Sequence, residues 1–270
     1  MGQNMKYPIL FVHGMGFRDR KHPCYWGRVP KAFEARGYQV FFAGQNSSDT
    51  VEANAAVVAK RIDEVIAQTG AEKLNIIAHS KGGLEARYAI SVLGKAKYVA
   101  SLTTISTPHH GSKTVDLLKY VPDFLIRLCC KGFDLGFWIM GDKKPDTYGS
   151  ISIFRTAAAA EFNRRVPDDP DIYYQSYGFI MKKPTSDMVM CVQNMFVKMI
   201  EGDNDGLLPP DAVKWGDFRG VFTGNSNRGI SHCDEVDMRR CRLTRKQGDG
   251  ISDMVDFYLG VAGELEEKGF

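Results

Sequence analysis

Short apolar runs bounded by turn residues alternate along the chain with segments whose apolar positions recur every three or four residues. The runs are Ile9-Leu10-Phe11-Val12, Val40-Phe41-Phe42, Leu74-Asn75-Ile76-Ile77-Ala78, Leu102-Thr103-Thr104-Ile105 and Val221-Phe222. Each reads as a strand buried on both faces, because such a strand shows a nearly continuous apolar run rather than strict alternation. Between the second and third runs, Val51, Ala55, Val58, Ile62 and Val65 make one helical stripe, with Asp49 and Glu52 spaced as a capping pair at its start. Trp26, Val29 and Phe33 predict a helix between the first two strands, and Ile251, Val255, Tyr258, Ala262 and Leu265 predict a terminal one. The order predicts an α/β fold, a mostly parallel sheet covered by helices on both faces.

From Gly111 to about Pro170 the pattern changes. Val115, Leu118, Val121, Leu125 and Leu128 form a greasy stripe, followed by Phe133, Leu135, Phe137, Trp138, Ile139 and Met140. Two readings stand: a further pair of core helices, or a cap whose apolar face borders a substrate pocket. No repeat or low-complexity linker divides the chain, so the expectation is one domain over residues 1–270 with an inserted cap or lid over 112–170.

Composition narrows the classes. The 270 residues are 44% hydrophobic and 25% charged, which excludes disorder, collagen and coiled coil. Thirty-five basic against 32 acidic residues leave a formal +3, too dispersed for a nucleic-acid partner. The one basic cluster, Arg239, Arg240, Arg242, Arg245 and Lys246, reads as a solvated face or as an attractor of anionic lipid headgroups. Six cysteines without CxxC spacing read as free thiols, with Cys233 a candidate for oxidation. No apolar stretch approaches the ~18 residues of a membrane span, so any membrane contact is expected at a surface. The opening residues carry no secretion signal, which makes the cytoplasm the default location and secretion the expectation if a leader was removed.

The most specific local signal is Leu74-Asn75-Ile76-Ile77-Ala78-His79-Ser80-Lys81-Gly82-Gly83. A strand that ends in small-x-Ser-x-Gly and leads into a helix is the context of a nucleophile elbow, where small residues are needed because the turn brings flanking backbones together. Ala78 stands where a glycine is usual. Ser80 is therefore the candidate nucleophile. A serine hydroxyl needs a base, and the tetrahedral intermediate needs donors aimed at its oxyanion. The backbone N–H of Met15, in the glycine-relieved loop Val12-His13-Gly14-Met15-Gly16, and that of Lys81 are the candidate donors.

In a hydrolase of this type the acid and the base follow the nucleophile in that order. Of six histidines only His232 lies late enough. His22 lacks partners in place, while His109 and His110 sit in a Thr-Pro-His-His-Gly turn and read as loop-shaping. His232 follows a glycine-rich loop and is the candidate base. Asp203, Asp205 and Asp211 all stand near the place of the acid. Asp205 is preferred because Gly206, Leu207 and Leu208 would bury its carboxylate against the imidazole, with Asp203 the fallback and Asp211 behind it.

At these residues the chain resembles the bacterial triacylglycerol lipases of family I in the α/β-hydrolase fold. The matching stretches are Pro8–Met15, Ala78–Gly83, Thr103–Ser112, Asn204–Leu207 and His232–Asp237. The resemblance implies Ser80, Asp205 and His232 as a triad, Met15 and Lys81 as oxyanion donors, a mobile lid after Gly111-Ser112, and hydrolysis of lipid or other carboxylic esters through an acyl-enzyme on Ser80. It also implies a calcium ion bracing the histidine loop, for which Asp234 and Asp187 are the matching carboxylates; the surroundings of Asp187 match less clearly, and no other cofactor is required. A short-chain carboxylesterase, thioesterase or polyester hydrolase with the same triad is the alternative within enzymes, and a non-catalytic binding protein on this fold is the alternative outside them.

Overall fold

The computed structural model describes residues 5–16, 18–19, 25–139, 141–246 and 248–270. The opening Met1–Asn4, His22, Cys24 and Met140 lie outside the described residues. Strands β1 (Ile9–Val12), β2 (Val40–Phe42), β3 (Leu74–His79), β4 (Val99–Ile105), β5 (Tyr173–Phe179) and β6 (Asp217–Phe222) form one sheet in the order β2-β1-β3-β4-β5-β6. Every neighbouring pair is parallel.

Side chains alternate across this sheet, and each face has its own core. Leu10, Val12, Ile76, Ala78 and Leu102 pack with the helices Val51–Thr69 and Lys81–Ser91. Ile9, Phe11, Ile77, Ile105 and Phe179 pack on the other face with Val29–Ala35 and the terminal helix Met254–Glu267. The stripe predicted for Val51–Thr69 is buried along its length. Burial of Val58, Ile62 and Val65 stabilises the packing by roughly 1.5–3 kcal/mol each. The cap of this helix differs from the expectation. Thr50, not Asp49, is its N-cap and accepts from the Ala53 N–H at 3.2 Å, while Asp49 accepts from the Thr50 N–H.

Strand β5 is absent from the apolar runs of the sequence. Its residues Tyr-Tyr-Gln-Ser-Tyr-Gly-Phe mix aromatics with polar groups, yet it lies between β4 and β6. Its buried polar side chains find partners: Gln175 donates to the Thr103 hydroxyl at 2.8 Å, and Ser176 donates to the Trp215 carbonyl at 2.6 Å.

Between β4 and β5 the chain makes a helical excursion through Lys113–Asp116, Asp123–Ile139, Thr147–Ser152 and Thr156–Arg165. The longest of these, Asp123–Ile139, buries only Cys130 and leaves Phe124, Leu128, Phe133, Leu135, Trp138 and Ile139 exposed. These residues are not core, which removes the simpler of the two readings of the greasy segment. No helix among the described residues is long and apolar enough to cross a membrane.

Candidate active site

The chain runs from β1 outward to β2 and then returns to place β3 on the other side of β1, so the strand order reverses between β1 and β3. Ligands of open α/β sheets bind beyond the carboxyl ends of the strands at such a reversal. The His13-Gly14-Met15 loop leaves β1 there, and Ser80 follows β3.

Ser80 has φ 53° and ψ −131°, a positive φ that a serine adopts only when its surroundings force it. The forcing contacts are backbone approaches. A Cβ at Gly82 would lie 2.4 Å from the His13 carbonyl oxygen, and one at Gly14 would lie 2.7 Å from the Ser80 Cβ. The elbow and the loop after β1 are thus pressed together by glycines in both. Lys81 opens the helix Lys81–Ser91, whose first N–H groups have no intrahelical acceptor. The Lys81 side chain points elsewhere: it is buried and its Nζ pairs with Glu85 at 2.7 Å. Glu85 accepts from Asn54 and from Gln45, and Gln45 also donates to the His13 carbonyl at 2.9 Å. A buried polar network therefore fixes the loop that carries Met15.

His232 comes from the loop after β6, and its ring lies 4.4 Å from that of His79, the residue before Ser80. Its Nδ1 donates to Asp205 Oδ2 at 2.8 Å, and its backbone N–H donates to the Asp205 carbonyl at 2.8 Å. The other carboxylate oxygen of Asp205 accepts from the N–H groups of Leu207 and Leu208, both at 2.8 Å. Burial pushes the Asp205 carboxyl up, but His232 and these two donors outweigh it and hold the group below the ordinary range. The fallback acids lie apart from this pair: Asp203 is exposed and paired with Lys198, and Asp211 with Lys214. His109 is wholly buried, with its ring nitrogens on Thr104 and Arg87 and its ring stacked on Trp215; His110 donates to the Lys214 carbonyl. Both hold the turn, as the sequence predicts.

A layer of the site was not singled out from the sequence. The ring of His79, the residue before Ser80, lies 4.4 Å from the ring of His232. His79 bonds the Tyr25 hydroxyl at 2.7 Å through Nδ1 and Glu235 at 3.0 Å through Nε2. Burial pushes the Glu235 carboxyl far up, with the Asp205 charge adding to it, and burial pushes His79 far down. Burial thus favours the neutral form of both groups beneath the Asp205–His232 pair. The available signals were the placement of His79 beside Ser80 and of Glu235 three residues after His232. The ligating atoms of His79, His232 and Glu235 gather within 4.8 Å, but two of the three already bond each other and the third faces Asp205.

Asp187 and Asp234, the carboxylates expected at calcium, do converge, since both bond Ser231. Both Asp187 oxygens and Asp234 Oδ2 accept from protein donors, and Asp234 Oδ1, which accepts no hydrogen bond, faces the Arg239 guanidinium with Nε at 2.6 Å. A calcium ion takes about six to eight oxygen ligands, and this donor set, with a guanidinium already on Asp234 and Asp187 bonded to Ser231 and Val189, does not fit one. Arg242 of the same basic cluster pairs with Asp253 and Asp256. Two of its five members, Arg239 and Arg242, thus pair with carboxylates of the fold.

Strand-elbow-helix geometry at the sheet reversal, with the histidine and its carboxylate delivered by later loops, defines an α/β-hydrolase. The chain belongs to the palmitoyl protein thioesterase family, which it matches over residues 8–179. Proteins similar to it include triacylglycerol lipase 2 of Saccharomyces cerevisiae, 28% identical over 265 residues that cover 91% of this chain and 74% of that protein. The triacylglycerol lipase of Pseudarthrobacter phenanthrenivorans is 31% identical over 175 residues, which are 60% of this chain and 54% of the relative. The mature Bacillus licheniformis lipase BlEst2 shares the fold with TM-score 0.70 at 18% identity, over 97% of this chain and 92% of its own. Staphylococcus hyicus lipase does so with TM-score 0.69 at 16% identity, over 97% of both chains.

Proposed function

We propose that Ser80, His232 and Asp205 form the catalytic triad of this carboxylic ester hydrolase, with the N–H groups of Met15 and Lys81 as its oxyanion hole. The observation that carries the reading is the 2.8 Å bond from His232 Nδ1 to Asp205 Oδ2, with the His232 ring 4.4 Å from that of His79, the residue that leads into a serine held at positive φ. Asp205 fixes the tautomer that leaves Nε2 free as a base. His232 takes the Ser80 proton, Ser80 Oγ attacks the ester carbonyl, and the proton then passes to the leaving alcohol. Water releases the acyl group by the reverse relay.

The substrate class we infer is a lipid ester. Phe124, Leu128 and Trp138 on the excursion are matched by a second exposed apolar group, Met188, Val192, Phe196 and Met199, around the helix Cys191–Glu201. Apolar surface on this scale marks a lipid-facing or partner-facing region. Residues 112–170 then act as a cap or lid that rests on the lipid. A chain-length series of p-nitrophenyl esters ending in emulsified triglyceride tests this; rates that peak at short soluble esters and ignore the emulsion contradict it.

Membership of the palmitoyl protein thioesterase family favours a second reading, in which the acyl group arrives as a thioester. An S-palmitoyl peptide compared with p-nitrophenyl palmitate separates the two, since the same triad serves both and only the leaving group differs.

A further inference from the structure

Two loops meet behind His232. One carries Ser186 and Asp187, the other runs from Ser231 through Asp237. The Ser231 hydroxyl donates to Asp187 Oδ2 at 2.6 Å, and the N–H of Asp234 returns a bond to that hydroxyl at 3.1 Å. The Ser231 N–H donates to Asp234 Oδ2 at 3.3 Å. Asp187 and Asp234 are both buried, so two carboxylates converge on the residue next to His232. Two carboxylates taken out of water side by side both stay charged only beside a cation.

Arg239 is that cation. Its Nε lies 2.6 Å from Asp234 Oδ1, and its Nη2 reaches Asp234 Oδ2 at 3.2 Å and the Ser186 carbonyl at 2.9 Å. The Arg228 guanidinium donates to the same Ser186 carbonyl. Two guanidinium groups thus converge on the Ser186 carbonyl, and the one that also sits on Asp234, Arg239, ties the Ser186-Asp187 loop to the Ser231–Asp237 loop, the bridge that a divalent ion would otherwise supply.

We propose that Arg239 is a built-in replacement for a bound divalent cation, and that it acts as a positioning residue for His232 by locking the loop that carries it. A guanidinium suits the task because its planar fork bonds a carboxylate and a carbonyl at once. It cannot dissociate, so the loop stays braced in the presence of chelators. The positioning role rests on the proposed triad; the replacement of a cation does not.

The test uses the full chain. Wild-type protein should show the same melting temperature and the same kcat in EDTA and in millimolar calcium, and calorimetric titration with calcium should give no binding heat. Arg239→Ala uncovers the Asp234 carboxylate beside Asp187 and should lose about 10–100-fold in kcat with KM nearly unchanged, the size seen when an outer-shell support is removed. Calcium should then bind this variant, raise its melting temperature and restore part of kcat. Arg239→Lys keeps a charge and should retain most of the activity, whereas Arg239→Gln should behave like the alanine variant without opening a cavity. Calcium binding by the wild type, or full kcat in both Arg239→Ala and Arg239→Gln, overturns the proposal. Fluorophosphonate labelling of Ser80 in the wild type reports separately on the triad, because the calcium titrations read the cation's replacement whether or not that labelling succeeds.

Discussion

His232 donates from Nδ1 to Asp205 Oδ2 at 2.8 Å, and the backbones of the same two residues are joined by a second bond of the same length, from the His232 N–H to the Asp205 carbonyl. The double link fixes the imidazole plane as well as its tautomer. Asp205→Asn should therefore leave the fold and substrate binding intact while kcat drops about 10³–10⁴-fold, because an amide can stabilise the wrong tautomer. Steady-state kinetics with a p-nitrophenyl ester, beside a circular dichroism melt, checks this. A comparable loss in Asp203→Asn would move the acid to the other carboxylate.

Gly82 is a test of how tightly the elbow is built. A methyl group there would lie 2.4 Å from the His13 carbonyl oxygen, in the backbone that leads to Met15. Gly82→Ala should cost about 1–3 kcal/mol of stability through overpacking. Displacement of the proposed oxyanion donors should also lower kcat by about 10²-fold or more. Denaturant melts and kinetics on one preparation separate the two effects, and unchanged kcat would mean that the loop after β1 plays no part in catalysis.

The buried Glu235 gives stability a pH dependence with a definite sign. Burial raises its carboxyl well above the usual range in the folded protein, whereas in the unfolded chain it loses its proton near the usual value of about 4.3. The folded state then binds more protons, so this group makes stability fall as pH rises from that value toward its raised folded one. Glu235→Gln, an uncharged near-isostere, should gain on the wild type over that window, by at most about 1.4 kcal/mol for each pH unit. His79 and His109 act with the other sign: burial lowers both, so the unfolded chain takes up protons first and stability falls as pH drops below about 6.5. Melting temperatures of the two proteins between about pH 5 and pH 8 read both effects, and parallel curves would contradict the neutral state of Glu235.

Cys233, beside the proposed base, is the cysteine that the sequence marks as open to oxidation. Burial, with the carboxylates of Asp187, Asp234 and Asp205 around it, pushes its thiol up to about 12. The reactive thiolate is therefore scarce at neutral pH. Iodoacetamide should modify the exposed Cys129 and Cys241 at least about tenfold faster, as read by peptide mass spectrometry.

The parts of the site legible in the sequence are those that steric need imposes locally. Ser80 shows itself because Gly82 and Gly83 are the residues that so tight a turn admits. Asp205 shows itself because a glycine and two leucines follow it and supply both enclosure and two N–H donors. Strand β5 stayed hidden, since its burial is made tolerable by partners distant in sequence, Thr103 for Gln175 and Trp215 for Ser176. Thr50 rather than Asp49 caps its helix for a similar reason: spacing alone admits either, and the turn of the backbone decides. Glu235 and Arg239 were illegible as a neutral acid and a loop brace, because both roles depend on which charges the fold buries beside them.

The central claim is that Ser80 is the nucleophile. Treatment with a fluorophosphonate probe followed by intact-mass and peptide analysis should give one adduct on Ser80 in the wild type. It should give none in Ser80→Ala, which should be folded and unable to hydrolyse p-nitrophenyl esters. An adduct on another residue, or ester hydrolysis retained by Ser80→Ala, would contradict the account.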